Sequence, residues 1–379
     1  MDVTLNEDQQ MLQDMTRRFL EDRSPIGALR KLVDASASGS ATLDRAVWRE
    51  AAELGWVALF VPEANGGIAE MSGGVIDAAI VAEELGRVVF AGPFLSTSVV
   101  AFALAQAGSE AQRDAWLPGM ASGDTLAAWC FAGTGINAGA EPGAVKLRSE
   151  GGGFVLDGLA AYVEEAQDAD LLLVTATGDD GVSQFLIPPG LDGVSIEPLE
   201  SLDLGRRLAH VRFSGVAIGP DALLGEAGAA ADLVERQLQV ALALQCAETV
   251  GVTDRAFEFT LEWVQQRYAF GRPIGSFQAL KHRLADHAAQ LEGAKAAAAH
   301  AARSVQAQAP DAAIAVSVAK SQCGRQATEI IRDCLQMHGG IGLTWDHDIH
   351  FYLRRAVSNE ALWGTPAAHH ERLARLAGL

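Results

Sequence analysis

Cysteine is scarce in this chain. Four are spread over 379 residues, at Cys130, Cys246, Cys323 and Cys334. No two form a Cys-x-x-Cys pair, so neither a disulfide framework nor a thiolate zinc site is indicated, and buried reduced thiols are expected. Positive charge is in deficit: 29 Lys and Arg stand against 48 Asp and Glu, a net charge of -19. That balance argues against a general nucleic-acid binder or a ligand of anionic membranes. Local basic spots such as Arg354 and Arg355 are the places still able to meet a phosphate. Long hydrophobic runs are missing as well. The best, residues 95–107, is shorter than the ~20 residues a membrane helix needs and carries Ser and Thr. The first ten residues, MDVTLNEDQQ, are acidic and polar, unlike a signal or transit peptide, so a cytoplasmic protein is expected. No internal repeat is visible, and the one linker-like stretch, ASASGSA at 35–41, reads as a surface loop.

What is present is an ordinary globular balance, 49% hydrophobic and 20% charged, in a chain long enough for two or three domains. Residues 1–118 read as helices. Met11, Leu12, Met15, Phe19 and Leu20 recur at helical spacing, Trp48, Leu54 and Trp56 mark a second helix entering a buried turn, and 75–85 and 94–107 are apolar helices. Residues 119–230 change to short apolar or alternating runs between Gly and Asp-Gly turns: 125–131, 144–148, 153–157, 170–175, 183–187, 194–198 and 209–216. Residues 231–379 return to helix, at 231–266, 277–308, 310–336 and 346–363. The fold class is therefore multidomain α+β: an N-terminal helical domain, a central β-barrel-like domain and a C-terminal four-helix bundle.

Two stretches carry chemistry. RYAFGRPIGSFQALKHRLAD, residues 267–286, lies where Gly271, Pro273 and Gly275 break a long helix and Ser276 is placed to cap the next. Arg267 is a permanently charged planar fork suited to phosphate. Phe270 offers a flat apolar face, and Gln278 a donor and an acceptor. The same residues also suit a plain interhelical turn with an Arg paired to a local carboxylate. QMHGGIGLT, residues 336–344, ends a helix in two glycines. There a backbone can approach a ligand closely, or simply cap a helix.

Arg-x-x-Phe-Gly, Pro-Ile, Phe-Gln, Lys-His and Leu-Ala-Asp, followed by Gln-x-x-Gly-Gly, resemble the hallmark segments of the acyl-CoA dehydrogenases. WREAAELGWVALFVPEANGG and AEELGR in the first domain, and FYLRRA near the end, extend the resemblance over nearly the whole chain. It implies that FAD is the cofactor, with Arg267, Phe270, Gln278, Gln336, Gly339 and Gly340 on its ADP half and Thr365 bonding its phosphate or ribose. It also implies an acyl-CoA substrate, a middle β domain over one face of the flavin ring, a Glu as general base and an electron-transfer flavoprotein as acceptor.

The chain departs from the family where the ring and substrate belong. The base position of Tyr-Glu-Gly-Thr is Trp363, within Leu362-Trp363-Gly364-Thr365, and the alternative base position on the long helix is Ala241, with Leu242 beside it. The hydroxyl expected two residues after Cys130 is Ala132, Trp-Ile-Thr is Tyr162-Val163-Glu164, and a common hydroxyl of the ADP turn is Ala269. No catalytic residue is assigned. In the family's dimers one subunit holds the ring and its neighbour lends the ADP-half segments. A chain that keeps what it lends and loses what it needs resembles the base-lacking subunit of the actinobacterial heterotetramers (α₂β₂) of steroid side-chain degradation. Such a chain needs a catalytic partner subunit. Two other readings stand beside it: a homomeric enzyme with a displaced base, Glu248 or Glu360, and a flavin-free scaffold or acyl-CoA-binding protein. His282 and His338 read as helix-end hydrogen bonders, and His347, His350, His369 and His370 do not make a metal site. Glu141-Pro142-Gly143, a displaced remnant of a family motif, is given no function.

Overall fold

The computed structural model describes residues 5–36, 43–69, 74–133 and 145–379. The loop expected at 35–41 falls almost wholly outside them, as do Thr134, Gly135 and Glu141-Pro142-Gly143. Six helices come first: α1 (Glu7–Arg23), α2 (Ile26–Ala35), α3 (Arg45–Glu53), α4 (Val75–Arg87), α5 (Phe94–Ala107) and α6 (Glu110–Ala121). A capping box starts α1: Gln9 N–H donates to Asn6 Oδ1 at 2.8 Å and Asn6 N–H to Gln9 Oε1 at 3.2 Å. The apolar stripe on α1 is only partly inward. Leu20 is buried, while Met11 and Met15 are exposed, because the helix lies on the surface against α4. Helix α5 is buried on all sides over most of its length, as its lack of charged residues requires.

The middle of the chain forms one sheet. Its strands are β1 (Ala127–Cys130), β2 (Lys146–Glu150), β3 (Gly153–Glu164), β4 (Leu171–Gly178), β5 (Gly181–Ile187), β6 (Val194–Pro198), β7 (Leu208–Ile218) and β8 (Leu223–Leu224). The order is β6-β7-β3-β2-β4-β5-β8, with β1 parallel to β4. Each expected strand is there. The sheet is an open path from β6 to β8 rather than a closed barrel, and its own apolar core lies on one face. β3 runs to Glu164, well past the expected end, because its pairing with β7 continues across two register shifts.

The last third is helical: α7 (Ala231–Gln266), then the two-stranded hairpin β9 (Tyr268–Ala269) and β10 (Arg272–Pro273), then α8 (Gln278–Gln306), α9 (Ala312–His338), α10 (Ile349–Ala361) and α11 (Pro366–Leu376). Helix α7 is the spine, packing on α4, α5, α8, α9 and α10. It crosses α4 at two glycines. A Cβ on Gly251 would stand 1.8 Å from the Glu83 carbonyl oxygen, and one on Gly86 would stand 2.1 Å from that of Glu248. No other residue type allows backbones to meet this closely. The main core runs from the N-terminal helices through β1 to α7, α8 and α9 and takes in Trp363. Among the described residues no helix is long and apolar enough to cross a membrane.

Candidate functional site

At the far end of α7, Arg267 caps the helix in an extended conformation. The chain then turns back through a hairpin in which Ala269 pairs with Arg272 and Tyr268 with Pro273. Its two turn residues, Phe270 and Gly271, have φ of 54° and 79°. Two left-handed residues in a two-residue loop are the type I′ geometry that matches strand twist. Phenylalanine there is strained by about 1–3 kcal/mol. The turn places the ring outside the protein: Phe270 is 96% exposed, and its ring neighbour is Phe277, edge-on at 6.3 Å. The Arg267 guanidinium lies 5.7 Å from the Trp263 ring centroid, with no carboxylate in ion-pair reach among the described residues. Ser276 does not cap α8. Its hydroxyl donates to the Pro273 carbonyl at 2.7 Å, and Phe277 occupies the N-cap without a side-chain bond. The tight turn leaves the Ser276 hydroxyl facing back. Gln278 opens α8, exposed.

Helix α9 ends at His338, and Gly339 follows with φ of 68°. Gln336, Gly339 and Gly340 are exposed, and a Cβ on either glycine would meet nothing within 4 Å. Trp263 joins this segment to the Arg267 turn. Its Nε1–H donates to the Met337 carbonyl at 3.2 Å, and its ring stacks on His338 at 5.2 Å. His338 Nδ1 is within 2.9 Å of the Cys334 carbonyl, a helix-end bond. So Arg267, Phe270, Gln278, Gln336, Gly339 and Gly340 share one exposed end of the molecule. Thr365 does not. It is half-buried and caps α11, its Oγ1 accepting from Ala368 N–H at 3.2 Å. The next residue, Pro366, lies against Gly324, twelve positions before Gln336 on α9, which is about 18 Å along the helix.

The Thr365 side of the molecule is closed. Trp363 is 6% exposed, with φ of 60°. Its ring is tilted on Trp129 at 5.9 Å, and Trp129 stacks on Phe131 at 4.4 Å. The backbone that presents Trp363 is pinned. Lys320 Nζ donates to the Leu362 carbonyl at 2.7 Å, to the Asn359 carbonyl and to Gln245 Oε1 at 2.5 Å, which uses all three of its protons. His369 Nε2 lies 3.0 Å from the Trp363 carbonyl. Burial pushes Lys320 down to about 8. Ala241 and Ala132 are buried, and Tyr162 is half-exposed and edge-on to His210 at 5.4 Å.

Beneath this loop runs a sealed charge network. Glu248 Oε2 accepts from Arg206 Nη2 at 2.7 Å and Oε1 from Arg355 Nη1 at 2.7 Å, and Asn359 Nδ2 donates to Oε2 at 2.9 Å. Burial works to raise its pKa, yet Arg206 and Arg355 outweigh burial and hold the carboxyl below its ordinary value. A depressed, fully paired carboxylate is a poor general base. Arg206 Nε also meets Glu164 Oε1 at 2.7 Å, and Arg355 pairs with Asp203. Burial pushes Glu164 up to about 7, with Arg206 pulling back and Glu248 and Glu165 pushing further. Arg355 therefore faces inward, away from any phosphate, and Arg354 bonds the Leu202 carbonyl at 3.0 Å. Glu360 accepts from Thr328 Oγ1 at 2.6 Å. Sequence reasoning missed Arg206, Asp203, Asn359 and Lys320. Nothing in one chain marks which charged residues will be buried. Among the described residues no three His, Cys, Asp or Glu side chains are arranged to hold a metal ion.

Family models described as Acyl-CoA dehydrogenase, N-terminal domain, and Acyl-CoA dehydrogenase, C-terminal domain, match residues 6–124 and 231–377. Acyl-CoA dehydrogenase IpdE2 of Mycobacterium tuberculosis is 30% identical over 375 residues, covering 98% of this chain and 98% of its own. A variant of the Tcur3481-Tcur3483 steroid ACAD matches the structure with a TM-score of 0.88 at 30% identity, covering 99% of each chain. The ChsE4-ChsE5 complex from Mycobacterium tuberculosis matches with a TM-score of 0.88 at 28% identity, over 100% of this chain and 99% of the other.

Proposed function

This chain belongs to the acyl-CoA dehydrogenase family, and from that premise we propose that it is a non-catalytic subunit completing the FAD site of a catalytic partner. Arg267, Phe270, Gln278, Gln336, Gly339 and Gly340 would hold the ADP half. In support, they share one open end, Phe270 is held out of its own protein, and Arg267 has no carboxylate in ion-pair reach among the described residues. FAD, when bound in the complex, supplies the hydride acceptor for dehydrogenation of an acyl-CoA. The ring half does not fit this chain. Aromatic side chains fill the ground near Trp363, and Glu164 stands where the family places a hydroxyl.

The observation that carries the reading is Trp363, buried on Trp129 at the base position and pinned by Lys320 and His369. A homomeric enzyme with Glu248 as base has the two guanidiniums against it, and Glu360 is taken by Thr328. Because relatives are named for steroid chemistry and for a two-protein complex, we assign the complex a CoA thioester of a bulky, sterol-derived acid. The test is FAD per chain, measured by flavin absorbance against protein. The isolated chain should carry none, and a co-expressed heterodimer with a base-containing family member should carry one. A full complement in the isolated chain would overturn the proposal.

A further inference from the structure

A cavity of about 330 Å³ lies between α4, α7 and α8, with Leu5 and Gln13 of the N-terminal segment at its rim. It is separate from the ground around Trp363. Ala247 on its wall is six residues from Ala241, about 240° around α7, and none of Trp129, Phe131 and Trp363 lines it. Ile76, Ala79 and Ile80 form one wall, and Ala298, Ala299 and Ala302 the other. Alanines on α8 leave space that larger side chains would fill.

One end of the slot holds Arg303, and the other holds Glu83 with the Lys295–Glu292 ion pair beside it. Helices α4 and α8 run antiparallel here: Gln306 Oε1 accepts from Ile76 N–H at 2.9 Å, while Lys295 and Glu292 sit toward Glu83. Arg303 at the Ile76 end donates to its own helix, to the Ala299 carbonyl at 3.2 Å, and has no ion pair among the described residues. Glu83 lies two turns along α4, about 10 Å away, and makes no hydrogen bond or ion pair among the described residues. Lys295 is already held by Asp254 at 2.8 Å and Glu292 at 3.2 Å. An apolar slot with a few convergent polar groups is the ordinary form of a small-molecule site. Among the described residues, the groups left without an ion pair are the Arg303 cation at one end and the Glu83 carboxyl at the other.

We propose that this slot binds an elongated apolar carboxylic acid carrying a hydroxyl at its far end, with the carboxylate on Arg303 and the hydroxyl on Glu83. Glu83 suits a hydroxyl in either protonation state, accepting from it as carboxylate and donating to it as acid. Burial, with Glu84 and Asp254, pushes Glu83 up to about 7 against Lys295 and Arg87, so both states are present near neutrality.

The experiment is calorimetric titration of the full chain with ω-hydroxydecanoic acid and with decanoic acid. Saturable binding of both is expected, about tenfold tighter for the hydroxy acid. Glu83→Leu should bind both equally, Arg303→Gln should weaken both, and Ala299→Phe, which fills the slot from a half-exposed position, should bind neither while melting as the wild type does. If Ala299→Phe does not fold, Glu83→Leu and Arg303→Gln decide. No saturable binding in the wild type, unchanged binding in Ala299→Phe, or an intact hydroxyl preference in Glu83→Leu would overturn the proposal.

Discussion

Glu248 Oε1 accepts a hydrogen bond from Arg355 Nη1 at 2.7 Å, and the two side chains are 3% and 1% exposed. A carboxylate and a guanidinium out of water hold each other in their charged forms. Arg206 takes the other oxygen of Glu248. The pairing fixes α10 to α7 and, through Asn359, the start of the loop that carries Trp363.

Replacing Glu248 with Gln leaves two buried guanidiniums short of a counter-charge. Breaking one partner of such a set costs about 3–5 kcal/mol. Urea denaturation of Glu248→Gln should show that loss. Unchanged stability together with abolished activity of the complex would instead return Glu248 to the role of base.

Trp363→Glu should not create a dehydrogenase. The new carboxylate would lie against Trp129 with no cation assigned to it, and burying an unpaired charge costs several kcal/mol. We expect a lowered Tm and no turnover of any acyl-CoA by the isolated chain. Turnover arising from this one change would contradict the assignment of a non-catalytic subunit.

Arg267→Ala should leave the isolated chain's stability within about 1 kcal/mol, the scale of an exposed cation–π contact with Trp263. In the complex it should release FAD. Retention of flavin by the variant complex would place the ADP half elsewhere and favour a scaffold role.

Glu83 gives a pH-dependent difference. Its folded pKa, about 7, is raised above the ordinary 4.5. The stability it contributes is therefore full below the ordinary value and is lost as pH rises through about 7. Glu83→Gln carries no such loss. The Tm of Glu83→Gln minus that of the wild type should rise between roughly pH 5 and pH 8 and then level off, the histidines cancelling in the difference. A flat difference would mean that the surroundings of Glu83 do not favour its uncharged form.

Gly251→Ala drives a methyl group to 1.8 Å from the Glu83 carbonyl oxygen. Neither backbone can yield without moving a whole helix. The cost should be at least the 1–3 kcal/mol typical of overpacking, and a fall in soluble yield is the simplest readout. An alanine variant as stable as the wild type would show that α4 and α7 cross at a greater distance.

Much of the fold was legible because period and punctuation are local. The strand at 194–198 and the helix at 231–266 match β6 and α7 as observed, since alternation, Gly and Pro mark their own ends. Helix α2 was missed, having only ten residues between a proline and the serines at 36 and 38. The Ser276 cap failed for a local reason too: a turn bond competed for the same hydroxyl.

The sequence by itself determined the family, the order of helix, sheet and helix, and the residue types on which the proposed base and ADP positions rest. These rest on side-chain identity, which needs no coordinates. Tertiary structure alone decided which charges go inside. Arg206, Glu248 and Arg355 are spread over 150 residues, and nothing in the spacing of charged residues says that they will neutralise one another. It also decided that Trp363 is an inward plug and Phe270 an outward flag, although both are left-handed aromatics next to a glycine. The difference comes from what the rest of the chain packs beside each: Trp129 against the first, and open solvent around the second.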